Sequence, residues 1–171
     1  TCSATNTNLP DSSIDYVFTD PPFGDNLMYS EMNFLWESWL DVFTDNTDEA
    51  IINKTQNKGL NEYQELMLNS FKEYFRVLKP NRWMTVVFHN SKSAVWNSIQ
   101  NSISKAGFII SQVLILDKQQ GTKNQMTAAG AVEKDLVISS YKPSDSFIGK
   151  FLKESGVNME VDFINEFLQK L

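Results

Sequence analysis

Apolar and polar positions divide the chain into segments of two different periods. Residues 14–19, Ile-Asp-Tyr-Val-Phe-Thr, form a short β-branched and aromatic run that predicts a buried strand. Pro21 and Pro22 stop it, because neither can extend a ladder. Residues 28–43 change to a helical period, with Met28, Met32, Leu35, Trp36, Trp39, Leu40 and Phe43 on one face. The polar stretch 44–60 predicts a loop. In the next helix, Tyr63, Leu66, Met67, Ser70, Phe71, Tyr74, Phe75 and Leu78 recur at threes and fours. Asn61 with Gln64 resembles its capping box, and Pro80 is expected to close it. Residues 83–88 are apolar on both faces, as in a central strand. A helix over 93–106 points Val95, Trp96, Ile99, Ile103 and Ala106 inward and ends at Gly107. Strands at 108–116 and 135–141 flank a long polar loop, 117–134. Two amphipathic helices, about 145–155 and 160–170, finish the chain.

The early alternation of strand and helix predicts an α/β architecture with a parallel sheet and crossover helices. The last two strands have no helix between them and are expected to form an antiparallel hairpin. Residues 1–143 therefore read as one unit and 144–171 as a helical extension.

Composition narrows the picture. With 171 residues, 42% of them hydrophobic, the chain is long enough for one real core. No apolar run reaches the length of a membrane span, and Cys2 is the only cysteine. A disulfide framework, a zinc cluster and any other metal site are therefore not expected, and a cytoplasmic protein is. A net charge of −6 argues against a domain that grips nucleic acid by bulk electrostatics. Thr1 rather than Met opens the chain, which is expected to be part of a longer protein.

The candidate chemistry lies at Asp20-Pro21-Pro22-Phe23, where the first strand ends. Ligands of open α/β sheets bind beyond the carboxyl ends of the strands. The residue types suit methylation of an aromatic amine. The lone pair of such an amine is delocalised into its ring, so it is a poor nucleophile. Fixed acceptors for its two N–H groups favour a pyramidal nitrogen whose lone pair is free. Asp20 offers a carboxylate, and Pro21 offers a carbonyl that consecutive prolines hold in place. Positive charge develops on the nitrogen, and a carboxylate and an aromatic face both stabilise it. Phe23 can stack on a flipped base, or it can serve the core. Gly24, Asp25 and Asn26 either shape the base pocket or make a plain turn.

Residues 15–26, Asp-Tyr-Val-Phe-Thr-Asp-Pro-Pro-Phe-Gly-Asp-Asn, resemble motif IV of the DNA amino-methyltransferases, the N6-adenine and N4-cytosine methylases. Val77-Leu78-Lys79-Pro80 and the closing hairpin are similar to features of the class I methyltransferase fold. The string from Gly24 through Tyr29, Ser30 and Glu31 is similar to bacterial and archaeal methylases of the restriction–modification type. The resemblance spans about residues 9–143 and implies a partial Rossmann-like fold. It also implies S-adenosylmethionine (AdoMet) as methyl donor, DNA as partner, and adenine over cytosine because Asp20 is not Ser. RNA guanosine-N2 methyltransferases share Asp-Pro-Pro before an aromatic residue and Gly, so they stay open as an alternative. So does a non-catalytic binding or assembly module.

The resemblance implies seven strands, and only four are counted. The seven glycines, at 24, 59, 107, 121, 130, 149 and 156, make no Gly-rich cofactor loop. That half of the fold is expected upstream of Thr1, and the chain alone is expected to bind AdoMet weakly or not at all. Ser3 and Ala4 then fall where the family contacts the cofactor's adenine, and Asp20 is expected to contact the cofactor as well. The first strand would lose a neighbour, so pairing of the isolated chain into a homodimer is expected. Tyr29 is read as a core residue at a helix start or a group that reaches the base. His89 and Asn90 end the second strand on the same sheet edge as Asp20, where they line the cleft or satisfy loop backbone. The loop from Lys118 to Lys134, rich in amides and lysines, suits nucleic-acid contact or plain solvation. Trp36 and Trp39 are read as helix packing.

Overall fold

A computed structural model describes residues 3–25, 27–90, 92–116, 135–144 and 146–149. Chain order is β1 (Ile14–Thr19), α1 (Tyr29–Leu40), α2 (Leu60–Val77), β2 (Leu78–Phe88), α3 (Ser93–Lys105), β3 (Ile109–Leu116) and β4 (Asp135–Tyr141). The strands form one four-stranded sheet in the order β1-β2-β4-β3. β1 and β2 run parallel, with Val17 opposite Met84 and Thr19 opposite Val86. β4 lies between β2 and β3 and is antiparallel to both. The expected hairpin is therefore present, inserted so that its second strand pairs with β2. Residues 146–149 are helical, within the helix expected over 145–155; the loop 117–134, the rest of that helix and the helix expected over 160–170 lie outside the described residues.

The core forms on one face of the sheet. Met84, Val86 and Phe88 of β2 and Ile138 of β4 meet Tyr63, Met67 and Phe71 of α2 and Val95, Ile99 and Ile103 of α3. Burying one such side chain contributes about 1.5–3 kcal/mol, so these positions carry most of the fold's stability. Helix α3 ends in a Schellman motif: Gly107 adopts φ +106° and donates to the Ser104 carbonyl, and Phe108 N–H reaches the Ile103 carbonyl at 3.3 Å. A side chain at Gly107 would be strained in that left-handed conformation.

Three expectations need correction. Helix α2 starts at Leu60, and its cap is Gly59, whose N–H is taken by Glu62 Oε2 at 2.8 Å. The Asn61/Gln64 pairing is therefore displaced by two residues, because glycine at the N-cap lets the chain enter the helix earlier. Pro80 does not close α2; the helix ends at Val77, and β2 already begins at Leu78. The pairing jumps from Ile14↔Leu78 to Tyr16↔Trp83, so residues 79–82 bulge out of the ladder. Pro80 sits in that excursion, where a missing N–H removes no ladder bond. Finally, α1 forms, but it buries no residue. Trp36 is 67% and Trp39 83% exposed, so they do not pack as expected, and Tyr29 is not a core residue.

A buried lysine fastens the end of α2 to the sheet. Lys142, just past β4, donates from Nζ to the Phe75 and Leu78 carbonyls at 2.5 Å each, with its ammonium 4.6 Å from the Phe75 ring centroid. On the other side, Glu73 of α2 holds the N-terminal segment. It accepts from Thr7 N–H and Oγ1 and from Arg76, and Arg76 also reaches the Leu9 carbonyl and pairs with Asp11. These donors, the Arg76 guanidinium foremost, hold the Glu73 carboxyl down at about 2.

Candidate active site

β1 ends at Thr19, so Asp20 leaves the sheet at its carboxyl edge and the motif continues as a loop over the end of β2. Pro21 and Pro22 have no N–H, so this loop is fixed through its carbonyls. The Tyr63 hydroxyl donates to the Pro22 carbonyl at 2.7 Å. Asn90 Nδ2 donates to the Phe23 carbonyl at 2.6 Å, and Ile52 N–H to the Gly24 carbonyl at 3.1 Å. No described residue takes the Pro21 carbonyl. Gly24 has φ +86°, which turns the chain here and which other residues rarely adopt.

Phe23 is half-buried and meets Phe88 edge-on, with ring centroids 5.4 Å apart. Its ring also lies 6.1 Å from that of His89. His89 Nδ1 approaches Asp135 Oδ1 to 3.0 Å, with the side chains only 17% and 7% exposed. The approach is off the ring N–H direction, so it leaves Nδ1 without an aligned hydrogen bond. Asn90 also accepts Lys92 N–H at 2.7 Å through Oδ1, so both ends of its amide are engaged within the protein. Asp25 forms an exposed ion pair with Lys92. Asn26 lies outside the described residues.

The remaining expected residues gather elsewhere. Ser3 and Ala4 stand in an exposed turn and, with Tyr29, Asn33, Asp48 and Glu49, line an open cleft of about 560 Å³. The structure thus brings Phe23, Gly24, His89 and Asn90 together, and Ser3, Ala4 and Tyr29 around a separate cleft. Sequence reasoning missed Tyr63, Ile52 and Asp135 as neighbours of the motif. Only Tyr63 carried a signal: a hydroxyl at a core position of α2 needs a partner. Among the described residues no His, Cys, Asp and Glu cluster could hold a metal ion, and no helix is long and apolar enough to cross a membrane.

The family model for N6/N4 DNA methylases matches residues 14–161. The chain belongs to this DNA methylase family. The family match takes in the Asp20–Phe23 loop and all four strands. Two solved structures agree on the fold. One is TTHA0409, described as a putative DNA modification methylase from Thermus thermophilus, at 18% identity and a TM-score of 0.51 over 83% of this chain and 51% of that one. The other is the PvuII DNA methyltransferase, described as cytosine-N4-specific, at 15% identity and a TM-score of 0.52 over 84% of this chain and 49% of that one. The Thermus protein is also known complexed with S-adenosyl-L-methionine. This chain therefore spans about half the length of the solved structures it matches. No curated protein sequence matches it.

The strand order β1-β2-β4-β3, with β4 reversed, is the partial Rossmann-like sheet expected of a class I methyltransferase. Ser3 and Ala4 supply a wall of the cleft, while no Gly-rich loop accompanies them.

Proposed function

We propose that this chain carries the amine-holding part of an AdoMet-dependent DNA methyltransferase, acting on adenine N6 in the cytoplasm. The observation that carries the reading is the Asp20–Phe23 loop at the carboxyl end of β1, with its later carbonyls tied down and its Pro21 carbonyl taken by no described residue. Asp20 accepts a hydrogen bond from one amine N–H and the Pro21 carbonyl from the other, which frees the nitrogen lone pair. Phe23, braced on Phe88, offers a face to the base, and its ring disperses the charge that develops on the nitrogen. Bound AdoMet supplies an electrophilic methyl. Asp20 stabilises the cationic amine and accepts the proton that leaves it. Gly24, Asp25 and His89 are read as the rim of the base pocket, and Ser3 and Ala4, with Asp20, as the chain's contacts to the cofactor.

The test is a methylation assay of the full-length protein on duplex DNA, with adenine-only and cytosine-only targets and a tRNA control. Wild type is expected to methylate adenine, and Asp20→Ala to lose activity by at least about 10³-fold with its melting temperature nearly unchanged. Retained activity in Asp20→Ala would sink the mechanism, and a cytosine or tRNA product would reassign the substrate. The 171-residue chain alone is expected to bind AdoMet too weakly for micromolar calorimetry. The edge position of β1, which among the described residues pairs only with β2, supports its pairing into a homodimer, which sedimentation checks.

A further inference from the structure

Two groups from different elements hold consecutive carbonyls of the motif loop. Tyr63 projects from the second turn of α2 and is fully buried. A phenylalanine there would fill the core equally well. The hydroxyl makes one described contact, the 2.7 Å bond to the Pro22 carbonyl. Burial pushes the phenol's ionisation upward, so it remains a protonated donor throughout the working pH range. Asn90 approaches from the end of β2. Its amide orientation is fixed, because Oδ1 accepts Lys92 N–H at the entry to α3 and only Nδ2 is left to donate to Phe23. The prolines make such external donors necessary. They leave the loop without amide donors at positions 21 and 22.

We propose that Tyr63 and Asn90 are positioning residues for methyl transfer: by fixing the Pro22 and Phe23 carbonyls they hold Asp20 and the Pro21 carbonyl in the geometry that frees the amine lone pair. The proposal rests on the amine-holding reading above. Neither residue meets the base through these bonds; both act through the loop. A displacement of about 1 Å at reacting groups costs up to about 10²-fold in rate, which sets the size of the effect.

The experiment uses the full-length protein with Tyr63→Phe, Asn90→Ala and Asn90→Asp. Steady-state kinetics on adenine-containing duplex DNA is combined with hydrogen exchange at the Ile52 amide, which bonds the same loop. Each variant is expected to lower kcat by about 10–100-fold, with both KM values within about threefold of wild type. The Ile52 amide should exchange faster. Asn90→Asp should be as slow as Asn90→Ala, because it keeps the shape and the Lys92 acceptor but lacks the donor. An active wild type whose Tyr63→Phe variant stays within twofold in kcat, or changes KM alone, overturns the positioning role and leaves the amine-holding reading intact. A wild type that methylates no DNA amine overturns both. The two failures are therefore distinct.

Discussion

Helix α2 buries Tyr63, Met67, Phe71 and Val77, whereas α1 carries Leu35, Trp36, Trp39 and Leu40 at comparable spacing and buries none of them. The same contrast separates the two faces of the sheet. Met84 and Val86 are fully buried beneath α2 and α3, while Tyr16 and Phe18 on the opposite face of β1 stand open. An apolar stripe fixes which residues share a face, but it does not supply the element that covers them. The open face of the sheet includes the strand that leads to Asp20. In α/β folds a parallel sheet is ordinarily covered on both sides. Here the covered side positions the motif loop, and no described helix packs on the other.

The sharpest way to break this comparison is to truncate one aromatic residue on each helix. Phe71→Ala should cost about 3–5 kcal/mol in urea unfolding, as for any fully buried phenylalanine. Trp39→Ser should shift stability by less than about 0.5 kcal/mol. Equal losses would show that α1 is packed in solution. A smaller effect is expected at the end of α2. Lys142→Met keeps the aliphatic stem but removes the charge-assisted bonds to Phe75 and Leu78, at a cost of about 2–3 kcal/mol. A loss below the error of the measurement would mean that water replaces the ammonium there. The least effect at neutral pH concerns Glu73. Its folded carboxyl is depressed to about 2 from an ordinary value of 4.5. A depressed acid contributes stability above its unfolded value, and that contribution is lost as pH falls through the folded one. Wild type should therefore lose stability between about pH 4.5 and 2 more steeply than Glu73→Gln, and parallel titration curves would remove Glu73 as the cause.

Strand positions and the closing hairpin were legible in the sequence because they depend on local patterns: β-branched runs, prolines at strand ends, and Gly107 after a periodic helix. The motif was legible because Asp20-Pro21-Pro22-Phe23 falls where a strand stops. What surrounds it was not. Tyr63 lies 41 residues from Pro22 and Asn90 67 from Phe23, and only the fold brings them together. Pro80 was misread for a related reason. Its effect depends on whether its position needs a ladder donor, and the excursion of residues 79–82 removes that need. Burial of α1 was misread because periodicity describes a helix alone and burial requires a partner.

The place of β4 in the sheet bears on how the protein is made. β2 and β3 do not pair with each other; β4 joins them, and it ends at Tyr141, after every other strand of the sheet. Until the ribosome releases that segment, β3 has no hydrogen-bonded neighbour and β2 has only β1. Between the synthesis of β3 and that of β4 the nascent chain therefore carries two separate pieces of apolar backbone. Sheet completion comes as a late, non-local step, which is intrinsically slow and open to misassociation. A chaperone's window of action on this sheet closes only when β4 arrives.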